Sequence, residues 1–130
     1  MARPSSWCVT FVAVLLLCSS LHAAERSATS QREIAHLLAY LEHSGCTFLR
    51  NGTWHEPKEA RAHLEGKYEY LMERSMVNSA EDFIERAASS SRMSGEHYFV
   101  QCPGQIKVTS GGWLRAELSR FRLSNTVEDK

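Results

Sequence analysis

The strongest polar pattern in the chain is His55, Glu59, His63 and Lys67, spaced by fours. Side chains four apart on a helix stack along one face, so those lying within a helix form a single row. Arg50 and Asn51 stand just upstream, at an Asn-Gly turn that can place them near the start of that row. An imidazole can act as base or acid, a carboxylate can orient it, and two fixed cations can hold an anion. The set therefore fits either anion binding or acid–base chemistry. The competing reading is a solvated face on which Glu59 pairs with His63 or Lys67, each such pair worth only ~0.2–0.5 kcal/mol. The spacing alone leaves the two open and assigns no catalytic residue.

Other chemistries find less support. Of the histidines, His36, His43, His55, His63 and His97 lie beyond the N-terminal segment, and no two form a His-x-x-x-His pair. His36 and His43 are two helical turns apart, too far to share an ion, so no metal site is expected. Ser89-Ser90-Ser91 and Ser94 read as a helix exit and turn. There is no Gly-x-Ser-x-Gly elbow and no glycine-rich phosphate loop, so no nucleophile and no cofactor are expected. Trp54 and Trp113 suit core packing better than a ligand platform. Asn51-Gly52-Thr53 has the form of a glycosylation sequon, which matters only in a eukaryotic secretory pathway.

The elements that must position the polar row follow from periodicity. Ser30-Gln31-Arg32-Glu33 matches a capping box, and Ile34, Leu37, Leu38 and Leu41 make an apolar stripe, so a helix is expected over 31–44. Ser44-Gly45 closes it. Cys46 to His55 alternates around Asn51-Gly52, the pattern of a tight hairpin. Pro57 then opens a second helix to about Arg74, with Ala60, Leu64, Tyr68 and Leu71 inward. Ser79 caps a third helix whose first turn carries Glu81 and Asp82 and whose apolar face is Phe83, Ile84, Ala87 and Ala88. His97–Cys102 and Gln105–Thr109 read as a second hairpin, and Trp113, Leu114, Leu118 and Phe121 as the face of a fourth helix. The fold class expected is α+β, about four helices packed with two short hairpins that form one small antiparallel sheet.

The ends say where such a domain works. Arg3, an apolar run from Cys8 to Leu21 and the small residues Ala23-Ala24 have the layout of a cleavable secretory signal. A spanning helix needs about 20 apolar residues, and Ser19, Ser20 and His22 interrupt this run. The expected organisation is a signal peptide over 1–23, a short linker over 24–30, one domain over 31–123 and a flexible tail over 124–130. Cys8 and Cys18 fall in the signal, which leaves Cys46 and Cys102 to pair in an oxidising compartment. Closing that loop would stabilise the fold by roughly 4 kcal/mol on the chain-entropy view. With 15 basic and 15 acidic residues overall, the charge gives no case for nucleic acid or an anionic membrane surface. No membrane insertion is expected once the signal is removed.

Arg50-Asn51-Gly52, His55, Glu59-Ala60, His63-Leu64 and Lys67 stand in the order and spacing of the YfeK-like family, small exported bacterial proteins classed as a domain of unknown function. Ser79-Ala80-Glu81, Phe83-Ile84, Ala88-Ser89 and Ser94-Gly95 with Tyr98 and Val100 fit the same pattern, so the resemblance spans roughly residues 31–120. It implies a bacterial, periplasmic location and brings no catalytic residue with it. The expected function is a non-enzymatic binding module for an envelope protein or small ligand. The alternatives are a small periplasmic hydrolase, with His55 or His63 as base and Arg50 or Lys67 holding an anion, and an inhibitor or immunity protein against a wall-active enzyme.

Overall fold

In a computed structural model the described residues are 7–129, with side chains described at 21, at 25 and from 27 onward. The central part of the signal expected over 1–23 thus has a described backbone only, and its first six residues lie outside the described set. Helix α1 runs Trp7–His43, α2 Pro57–Glu73, α3 Ala80–Phe83 and α4 Ser110–Glu128. A π-helical turn, Ile84–Ala88, continues α3. Strands β1 (Thr47–Arg50), β2 (Thr53–His55), β3 (Phe99–Gln101) and β4 (Val108–Thr109) form one antiparallel sheet in the order β2-β1-β3-β4. The fold is α+β, and the two expected hairpins do join edge to edge through β1 and β3.

That junction fixes the disulfide. Thr47 pairs with Gln101 and Phe48 with Val100. One step further along the ladder lie Cys46 and Cys102, which are disulfide-bonded with Cα atoms 4.1 Å apart. At the other end of β1, Asn51 and Gly52 take φ of 48° and 77°, the two positive angles a two-residue hairpin turn requires.

One face of the sheet, with Phe48 and Val100, packs on the helices, where Ile34, Leu37, Leu41, Leu71, Phe83, Ile84 and Leu114 are fully buried. The apolar stripes read from the sequence for α1 and the third helix are the ones that face inward. On α2, Leu64 and Leu71 are buried with Ala60 and Tyr68 packed beside them. Residues 63 and 67 precede this stripe by one position, about 100° around the helix, so they lie at the edge of the core and not on its far side.

Several boundaries differ from expectation. Residues 24–30, read as a linker, have helical backbone within α1. Ser30 and Glu33 consequently do not form a capping box. Ser30 Oγ donates to the Asn78 carbonyl oxygen (3.0 Å), and Glu33 accepts from Arg122 at 2.7 and 3.0 Å. A buried carboxylate needs such a partner, and the one it finds lies 89 positions away. Ser110-Gly111-Gly112 is the first turn of α4, with Thr109 Oγ1 accepting from the Gly112 amide. The helix continues to Glu128, through most of the segment read as a flexible tail. Arg122 bridges Glu33 and Glu81, and Glu117 accepts from His36 (2.8 Å) and Arg120 (2.8 Å), tying α4 to α1 and α3. The cap expected at Ser79 is present: its Oγ accepts from the Asp82 amide at 3.0 Å, and Asp82 accepts from the Asn78 amide at 2.9 Å.

Candidate functional site

Strand β1 delivers Arg50 to the start of α2, β2 delivers His55, and α2 carries Glu59, His63 and Lys67 on one face. The structure brings five of the six residues of the expected polar row into one hydrogen-bonded chain. Arg50 Nη1 donates to His63 Nδ1 (2.5 Å), and Nη2 faces His55 Nε2 at 3.4 Å. His55 Nδ1 then bonds Glu59 Oε2 at 2.9 Å. Since guanidinium is a donor only, each imidazole must present a lone pair to Arg50 and carry its proton on the other nitrogen. Glu59 therefore pairs with His55, and with neither His63 nor Lys67, the partners expected on a solvated face. Asn51 is set apart: it is exposed at the hairpin tip, where its Oδ1 accepts from Ser94 Oγ (2.9 Å).

Three groups not included in the expected row, Tyr98, the Ser90 carbonyl and Arg92, complete the cluster. Tyr98, buried at 7% exposure, lies between His63 Nε2 (3.5 Å) and Lys67 Nζ (3.3 Å), and Lys67 also donates to the Ser90 carbonyl oxygen (3.1 Å). The segment that carries Tyr98 and Ser90 is held by backbone bonds from Tyr98 N to Ser89 O (2.9 Å), Ser91 N to Glu96 O (2.9 Å) and Ser110 N to Tyr98 O (2.9 Å). Arg92, on the same segment, adds a third cation beside Lys67. The only sequence signal for these residues was the family pattern of Ser94-Gly95 with Tyr98. The serine-rich helix exit was correct as a local reading and silent about its distant partner.

The electrostatics follow first from burial and then from crowding of like charge. Burial, then the charges of Arg50, Lys67 and His55, pull His63 down to about 4. Burial, then Arg92 and Arg50, pull Lys67 down to about 8. Burial pushes the Tyr98 phenol up, opposed in part by Arg50. Among the described residues, no ion pair engages Arg50, Lys67 or Arg92, although five other arginines have one. The result is a cationic cluster with its carboxylate, Glu59, at the outer end.

Two cavities adjoin it. Behind the cluster, between Arg50, His55, His63 and the core residues Phe48, Leu64 and Trp113, is a cleft of about 30 Å³, room for a water molecule and no more. In front, along α2, a groove of about 400 Å³ is lined by Ala62, His63, Gly66, Lys67, Tyr70 and Arg92, together with Leu71. Among the described residues there is no group of three His, Cys, Asp or Glu placed to hold a metal ion, and no helix is long and apolar enough to cross a membrane. Trp113 and Trp54 differ: Trp113 packs against Tyr40 and Phe48, whereas Trp54 is 44% exposed on the outer face of the sheet.

The matches to known proteins cover this same region. The family of unknown function DUF5329 matches residues 28–122. The chain is 36% identical over 90 residues to the uncharacterized protein YfeK of Salmonella typhimurium, covering 69% of this chain and 73% of that protein. No solved structure matches it.

Proposed function

The chain belongs to the DUF5329 family of unknown function, and from that premise we propose that it is an exported protein of the bacterial envelope that binds an anionic ligand at the Arg50–Lys67–Arg92 cluster without transforming it. The observation that carries this reading is the gathering of three cations with no carboxylate partner among the described residues, one of them half-buried. Holding like charges together costs free energy that an incoming anion returns. Export to the periplasm rests on Arg3, the apolar run and Ala23-Ala24. An intramolecular disulfide accords with an oxidising destination.

A hydrolase needs a base with a free lone pair near its substrate. In this geometry Arg50 faces the lone pair of both His55 and His63, and the cleft behind them, about 30 Å³, is too small for a substrate. Binding is therefore the better-supported use of the same residues.

Titration with inorganic phosphate, followed by NMR, tests the reading. The expected result is saturable shifts centred on Lys67, Tyr98 and Arg92, weakened about tenfold or more in Lys67→Met, the loss of one charge-assisted hydrogen bond. Shifts that fail to saturate, or that persist unchanged in Lys67→Met, would remove the proposal. Intact mass of the protein recovered from the envelope fraction tests export: a chain beginning near Ala24 and lacking two hydrogens is expected, and a full-length reduced chain would contradict it.

A further inference from the structure

The cluster explains why an anion is attracted; the groove in front of it bears on what the anion is attached to. At about 400 Å³ the groove lies within the ~300–1,000 Å³ typical of small-molecule sites. Its floor is bare helix. Gly66 sits mid-groove, and a Cβ placed there would meet nothing within 4 Å. Ala62 is one turn earlier on the same face. Tyr70 is one turn later, 46% exposed, with the Arg74 guanidinium 3.5 Å from its ring centre.

The polar groups gather at one side. An ammonium has three protons, and Lys67 spends two, on Ser90 O and Tyr98 Oη. The third has no hydrogen-bond acceptor among the described residues. Arg92 is exposed, with its guanidinium carbon 5.7 Å from the centre of the Tyr70 ring. Its five donors have no hydrogen-bond partner among the described residues. A glycine in the middle of a helix costs roughly 1 kcal/mol relative to alanine, and here it leaves open the space that any side chain would narrow.

We infer that this groove is a site for an oxyanion carried on a flat, apolar body, an aryl phosphate or an aromatic carboxylate, with the oxyanion shared by Lys67 and Arg92 and the body lying across Gly66 toward Tyr70. The inference rests on the anion-binding reading above and adds the second half of the ligand. Burial and repulsion from Arg92 already strain the Lys67 charge, so a bound anion should hold the ammonium protonated to higher pH.

Calorimetric titration with inorganic phosphate, phenyl phosphate and benzoate separates the parts. Phenyl phosphate should bind about tenfold more tightly than inorganic phosphate, and Arg92→Gln should weaken both. Gly66→Leu replaces an exposed helical glycine with a better helix former and fills the groove floor. It should abolish the advantage of phenyl phosphate while inorganic phosphate still binds. Benzoate binding that is lost in Lys67→Met would identify the carboxylate as the preferred oxyanion, and benzoate silence would identify the phosphate. Equal affinity for the inorganic and aryl ligands, untouched by Gly66→Leu, overturns this inference and leaves the anion reading standing. Absence of binding by all three overturns both.

Discussion

His63 sits between a donor it cannot refuse and a phenol it can only weakly reach, with Arg50 at 2.5 Å on one nitrogen and Tyr98 at 3.5 Å on the other. Protonating Nδ1 would set two N–H groups against each other, which agrees with a folded value of about 4 against 6.5 unfolded. Two-dimensional NMR should place the His63 midpoint more than a unit below that of a free imidazole, and Arg50→Met should raise it. The sign for stability follows by linkage. Between pH 4 and 6.5 the unfolded chain binds the proton that the folded chain refuses, so stability falls as pH falls through that window. Comparing denaturant midpoints at pH 7 and pH 5 should therefore show a smaller drop in His63→Gln than in the parent. For Lys67 the folded value also lies below the unfolded one, so its penalty is fully present below about pH 8 and is relieved as pH rises toward 10.5. At this scale the sequence supplied the residue types and the fourfold spacing. It could not show that Arg50, from a strand, would take the lone pairs of both histidines.

The elements meet at a close contact that no local pattern announces. The π-helical turn over Ile84–Ala88 ends at Ser89, whose Oγ donates to the Ile84 carbonyl oxygen (2.7 Å). The first turn of α4 presses Gly111 onto that serine: a Cβ on Gly111 would lie 2.5 Å from Ser89 Oγ. Gly111→Ala should lower stability by about 1–3 kcal/mol, the usual cost of overpacking. Combining it with Ser89→Ala should cost less than the sum of the two single changes, since they share one contact. Additive losses in thermal or denaturant melts would show that the contact is not what limits position 111. The effect should reach the site, because Ser89 and Ser110 bracket the backbone bonds that hold Tyr98. The Gly111-Gly112 pair is visible in the sequence, yet it stands inside the first turn of α4. Glycine signals a turn in isolation, whereas here it serves a helix whose neighbour is too near for a side chain.

For the molecule as a whole, the disulfide ties the sheet at the junction of its two hairpins across a separation of 56 residues. Reduction, or the Cys46→Ala/Cys102→Ala pair, should reduce stability by about 4 kcal/mol, read as a lower denaturant midpoint with a steeper slope, because the unlinked denatured chain exposes more surface. Because β1 holds Arg50 and β3 follows Tyr98, loss of the link should also loosen the cluster and broaden the His63 signals.

What the sequence determined alone is what short-range physics dictates. Apolar periodicity set the inward faces of the helices, Asn51-Gly52 set the hairpin, Ser79 set a cap, and two cysteines left over from the apolar N-terminal segment set the disulfide. What the tertiary structure decided are the pairings between groups far apart in the chain. Glu33 answers Arg122 and not its own helix end, Glu59 turns to His55, and Lys67 finds Tyr98 and Ser90. A capping pattern or a row of fours is a list of donors and acceptors at fixed local spacing. Which partner each one takes depends on where burial leaves an unpaired charge, and burial is a property of the packed whole.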